Sequence, residues 1–140
     1  MKIEYYHASK YGNGTLVAEE FKRLMTTKGV TVNVHHIRDA RSKELPPADL
    51  YIFSSPGRFG KPIRGMRRFL KKVKLPSGSQ YAVLTTQHAP QIPMMNEELQ
   101  AKGLKKVAES KILVTDIKGP LEEGWQKKVE EFAAQIPIRP

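Results

Sequence analysis

The residues best suited to chemistry are Ser9-Lys10-Tyr11-Gly12-Asn13-Gly14-Thr15, which stand between an extended apolar opening and the first amphipathic stretch. Glycines let a backbone turn tightly and aim several N–H groups at one anion. A helix starting near Gly14 or Thr15 adds the positive end of its dipole. The residue order fits neither the GxGxxG of dinucleotide folds nor the GxxxxGK[ST] of nucleotide triphosphatases, so the segment points to a phosphate on something smaller than ATP or NAD. Taken alone, the heptapeptide is equally compatible with an ordinary polar turn that caps a helix.

Two further segments combine rigid backbone with useful side chains. In Ser54-Ser55-Pro56-Gly57-Arg58-Phe59-Gly60-Lys61-Pro62, glycine and proline fix a turn, Phe59 offers a flat face for stacking and Arg58 a cation beside it. That pairing suits a planar, redox-active heterocycle, although Phe59 packing over the helix below is the plain alternative. Thr85-Thr86-Gln87-His88-Ala89-Pro90-Gln91 supplies backbone and amide groups for the polar edge of a ring. Taken singly, a residue such as His88 is more often a surface histidine than a catalytic one. Paired carboxylates, a nucleophile beside a base, and metal-ligand spacings are not evident; His35 and His36 are strand neighbours and point to opposite faces. The absence of cysteine excludes disulfides and thiolate chemistry.

Something must hold these segments at one edge, and the hydropathy pattern supplies it. Over 140 residues, enough for one domain with a proper core, strand and helix signals alternate without repeats or low-complexity tracts. Strands are expected at 3–7, 30–37, 50–54, 81–86 and 111–117. Helices are expected at 15–28 (Val17, Phe21, Leu24 and Met25 inward, Gly29 as the stop), 61–74 (Pro62 in the first turn) and 96–102 (Asn96 as cap, Gly103 as stop). A last helix is expected from Gly119-Pro120, with Leu121, Trp125, Val129, Phe132, Ala133 and Ile136 inward. Residues 38–48, charged and ending in Pro46-Pro47, offer no good helix. Parallel sheets bind ligands at the carboxyl ends of their strands, where residues 8–14, 55–61 and 86–92 all fall.

Net charge is +10, and residues 58–74 supply eight cations and no acid, leaving +2 for the remainder. With Ile63, Met66, Leu70 and Val73 inward, these cations form one exposed helix face. Such a face attracts a nucleic acid, an acidic protein, an anionic membrane or a phosphorylated ligand; a merely solvated helix face is the alternative. Neither an apolar run long enough for a bilayer nor a cleavable signal pattern is present, so a cytoplasmic location is expected.

In order and spacing these motifs resemble the flavodoxin-like family, short-chain flavodoxins in particular, over nearly the whole chain. The carriers are Ser9-Lys10-Tyr11-Gly12-Asn13-Gly14, then Asp49-Leu50-Tyr51-Ile52-Phe53-Ser54-Ser55-Pro56 followed by an aromatic, Gly60 and a helix with Phe69-Leu70, and finally Gly119-Pro120-Leu121. The resemblance implies an α/β three-layer sandwich, a five-stranded parallel sheet in order 2-1-3-4-5 with helices on both faces. It implies FMN as cofactor, its phosphate held by Ser9, Lys10, Tyr11, Gly12, Asn13, Gly14 and Thr15. Pro56, Gly57, Arg58, Phe59 and Gly60 would border the ring on one side, and Thr86, Gln87 and His88 on the other. The implied activity is electron transfer, or flavin-dependent reduction of a small acceptor such as a quinone. The loops around Phe59 and Gln87 are similar to those of NAD(P)H:quinone oxidoreductases, and Ser-Lys-Tyr-Gly to the start of menaquinone-dependent protoporphyrinogen dehydrogenases. Tyr11, Gly14 and Gly57 depart from the hydroxyl-bearing residues usual there, and a basic surface replaces the family's acidic one. The partner is therefore expected to be an acidic redox protein or a small acceptor, with no specific nucleic-acid binding and at most peripheral membrane contact. The alternative is the same fold with flavin binding weakened or lost, serving as a module that binds anions or acidic partners.

Overall fold

Alternating apolar runs become strands buried on both faces because amphipathic helices cover each side of them. A computed structural model describes residues 1–58, 61–87, 94–116 and 118–138, residue 58 by its backbone alone. The expectations placed on the Arg58 side chain, Phe59, Gly60 and His88 lie outside the described residues. In chain order the elements are β1 (Lys2–His7), α1 (Asn13–Thr26), β2 (Thr31–His36), β3 (Leu50–Arg58), β4 (Lys61–Pro62), α2 (Arg64–Lys72), β5 (Gln80–Gln87), α3 (Met95–Gln100), β6 (Lys105–Leu113) and α4 (Trp125–Ala134). The sheet runs β2-β1-β3-β5-β6, all parallel, with the two-residue β4 antiparallel to the end of β3. Leaving β4 aside, this is the expected 2-1-3-4-5 order.

The period of two in each strand divides the core. Ile3, Tyr5, Leu50, Ile52, Ala82 and Leu84 pack with Val17, Ala18, Phe21 and Met25 of α1 and Val129, Phe132 and Ala133 of α4. Tyr6, Tyr51, Phe53, Tyr81 and Val83 face the other way, against Met66, Phe69 and Leu70 of α2 and Met95 and Leu99 of α3. The irregular crossover contains only a 3-10 turn at Ile37–Asp39. It is tied down by the Tyr51 hydroxyl, which donates to the Pro46 carbonyl at 2.8 Å and accepts the Ala48 N–H at 3.0 Å. No helix among the described residues is long and apolar enough to cross a membrane.

Four expectations are corrected. The fifth strand of the main sheet is Lys105–Leu113 rather than 111–117; as an edge strand it exposes charges, so its pattern lacks the apolar run that marks a buried strand. The basic helix starts at Arg64, not Lys61, because Pro62 belongs to β4. Asn96 does not cap α3: its Oδ1 accepts the Tyr81 hydroxyl at 3.1 Å and its Nδ2 donates to Glu109 at 2.8 Å. The last helix starts at Trp125, since Leu121 bridges to Val114 first. Trp125 is only partly buried, against the edge of that core.

Candidate functional site

Three parallel strands end level at one edge: His7 pairs with Ser54, and Pro56 with Thr86. The loop leaving β1 is shaped by its own polar groups. Ala8 N–H donates to the Ser54 carbonyl at 3.0 Å, and Gly12 N–H to Ser9 Oγ at 3.1 Å. Gly12 has φ 90°, a left-handed conformation that glycine adopts without a Cβ penalty, and there it opens α1. Gly14 is buried, and a Cβ on it would lie 3.1 Å from Ser9 Cβ, so any larger residue would push Ser9 away from the first helical turn. No side chain caps α1 and no acid lies in its first turn, leaving its N–H groups and dipole directed at the loop.

Two histidines pin Ser9 from below. Its N–H donates to His7 Nδ1 at 3.2 Å, and its carbonyl lies 3.1 Å from His36 Nε2. His36 Nδ1 accepts the Arg38 N–H at 3.1 Å, so Nε2 is the nitrogen that donates to Ser9. The two rings meet edge to face at 5.1 Å. Burial is the main force lowering the His7 pKa to about 4, with His36, Arg38 and His35 acting in the same direction. His35 points away from them, bonded to Glu4 at 2.7 Å and stacked on Tyr6, so the two neighbours do face opposite sides.

A fourth segment, Lys118 and Gly119 at the junction between the expected fifth strand and last helix, also reaches the cradle. Asn13 Nδ2 donates to the Lys118 carbonyl at 3.2 Å, and the positive-φ Gly119 leaves room for the Asn13 side chain, which a Cβ would approach to 2.7 Å. The ammonium groups of Lys10 and Lys118 lie 5.5 and 5.8 Å from the exposed Tyr11 ring. Tyr11 thus gathers two cations beside the helix N-terminus. Nothing in the local sequence marks Lys118, which meets the cradle because the chain returns to this edge after β6.

The second and third loops meet each other. β4 folds back on β3, pairing Gly57 with Pro62, and Ile63 N–H approaches both the Pro56 carbonyl and Ser55 Oγ at 3.3 Å. A Cβ on Gly57 would lie 2.8 Å from Gln87 Oε1, so the glycine at this position makes room for Gln87, which is buried and donates to Thr85 Oγ1 at 3.2 Å. The structure therefore brings Ser9 to Thr15, Pro56, Gly57, the Arg58 backbone, Thr86 and Gln87 to one edge. Among the described residues no group of three or more His, Asp or Glu is placed to hold a metal.

No protein-family model matches the chain, and no curated protein sequence does. Solved structures do. A flavodoxin from the domain Archaea superposes with a TM-score of 0.77 at 20% identity, over 96% of this chain and 93% of the other. The chain has the flavodoxin-like fold. Oxidised flavodoxin 1 from Bacillus cereus gives 0.73 at 20% identity, over 96% of each chain. The two-electron reduced flavodoxin of Megasphaera elsdenii gives 0.75 at 15% identity, over 96% of this chain and 99% of that one. Within the flavodoxin-like frame, the loop after β1 and the N-terminus of α1 lie beside the switch between β1 and β3, where strand order reverses.

Proposed function

We propose that the chain is an FMN-binding redox protein that passes electrons to a partner protein or reduces a small acceptor such as a quinone. The observation that carries this is the uncapped N-terminus of α1, closed against Ser9 through Gly14 and faced by no acid in its first turn. A phosphate monoester fits such a cradle: it accepts several backbone N–H groups and is attracted by the helix dipole and the cations at Lys10 and Lys118. The solved relatives described in oxidised and two-electron reduced states support a redox role for the fold.

In this reading Ser9, Gly12, Asn13, Gly14 and Thr15 hold the phosphate. Lys10 and Tyr11 contribute backbone and charge where a hydroxyl is absent. Pro56, Gly57 and the Arg58 backbone, with Phe59 and Gly60, border the ring on one side; Thr86, Gln87 and His88 border the other. FMN, when bound, supplies the one- and two-electron chemistry. The hairpin of β3 and β4, with the Gln87 side chain across Gly57, would form the wall against which the ring is oriented. Lysines at the rim favour negative charge on the bound ligand.

Titration of the purified protein with FMN, followed by quenching of flavin fluorescence, tests this. Saturable binding at micromolar FMN or tighter is expected, weakened by Ser9→Ala. Absence of binding at that concentration would overturn it and leave the fold as an anion-binding module.

A further inference from the structure

The outer face of α2 takes no part in the fold's packing or in the cradle. We propose that it is the docking surface for the acidic face of a protein that exchanges electrons with the site, an inference that rests on the redox reading above. Met66, Phe69 and Leu70 turn inward, while Arg64, Arg68, Lys71, Lys72 and, just beyond the helix, Lys74 are exposed. None of these makes an ion pair with any described residue, although cations elsewhere do: Lys2, Arg23, Arg41, Lys106 and Lys128 each meet a carboxylate. Arg67 is half-buried and its Nε is enclosed without an acceptor. That nitrogen's desolvation is offset by no hydrogen bond from a described residue. Lys102 of the neighbouring segment donates its ammonium to the Lys71 carbonyl at 2.9 Å, adding a cation at the far end of the stripe.

An ordinary solvated helix mixes charges of both signs; a face of one sign, unpaired, repels itself and is relieved by a partner of opposite sign. Position selects the partner. α2 starts two residues after the hairpin that borders the site, so an acidic surface laid along roughly 13 Å of helix reaches the rim of the cradle. Side-chain chemistry points the same way. The exposed positions of α2 carry no aromatic to stack on nucleic-acid bases and no aliphatic to enter a membrane.

The test compares wild type with the Arg64→Gln, Arg68→Gln, Lys71→Gln, Lys72→Gln quadruple variant. Each is titrated with FMN and then with three probes: an acidic ferredoxin, a short DNA duplex, and vesicles containing phosphatidylserine. The expected result is ferredoxin binding that weakens at least about tenfold between about 20 and 200 mM salt, and at least about tenfold in the variant. FMN affinity should change less than about twofold in the variant, because none of the four residues touches the cradle. Tighter binding of DNA or vesicles than of ferredoxin at the higher salt would overturn the proposal, as would ferredoxin binding unchanged in the variant. Ferredoxin docking without FMN binding would sink the redox reading while leaving an acidic-protein surface; FMN binding without docking would do the reverse.

Discussion

Gly14 shows how one hydrogen in place of a methyl shapes a site. In a helix interior, Ala is favoured over Gly by about 1 kcal/mol, yet here the methyl would press on Ser9 at 3.1 Å. Gly14→Ala is therefore expected to leave overall stability within about 1 kcal/mol of wild type while weakening FMN at least about tenfold, as read by fluorescence titration and denaturant melts. His7 is the residue whose protonation matters. With a folded pKa of about 4 against an ordinary value of 6.5, it binds a proton more readily in the unfolded chain. Its contribution is complete above pH 6.5 and is lost as pH falls from there toward 4. Stability is expected to drop by about 1–2 kcal/mol between pH 7.5 and 5 from this residue. In His7→Asn that component should vanish, and urea melts at the two pH values measure it. Protonated Nδ1 also cannot accept Ser9 N–H, so FMN affinity should hold down to pH 5 and fall only as pH approaches the folded pKa of about 4.

At the scale of elements, the hairpin of β3 and β4 and the end of β5 act as one unit because Gln87 lies across Gly57. Placing at position 57 the threonine that the resemblance makes usual would drive its Cβ to 2.8 Å from Gln87. Gly57→Thr is expected to destabilise by about 1–3 kcal/mol and to be largely rescued by adding Gln87→Ala; thermal melts of the single and double variants decide it. Elements buried on both faces were legible in the sequence: Leu50 to Phe53 and Tyr81 to Leu84 are uninterrupted apolar runs, and α1 shows its stripe plainly. The edge was not. In β6, Lys105, Lys106, Glu109 and Lys111 interrupt the pattern, so the apolar signal lies in the residues that follow. The cradle was visible as a motif because its glycines are needed by backbone geometry. Lys118 and the Ser9–His36 contact were not, since both depend on distant segments meeting across the sheet edge.

Over the whole molecule, charge separates functional expectations that the fold leaves open. With +10 net charge and a pI near 9.9, the protein should steer anionic acceptors toward itself and exert no such pull on neutral ones. Electron delivery from the FMN-loaded, reduced protein to ferricyanide is expected to slow several-fold as salt rises from about 20 to 200 mM, whereas a neutral benzoquinone should show almost no salt dependence. Stopped-flow traces at the two salt concentrations distinguish them.

The pairing of the first helix with the last has its own consequence. Phe21 of α1 meets Phe132 of α4 with ring centroids 5.6 Å apart, and both are fully buried. Every strand of the sheet precedes α4 in the chain, so as the polypeptide is synthesised the strands can cover the sheet-facing side of α1, while the flank of Phe21 that meets Phe132 stays open to water until α4 has left the ribosome. During that interval the nascent chain presents a sticky aromatic groove, and chaperone capture should concentrate there.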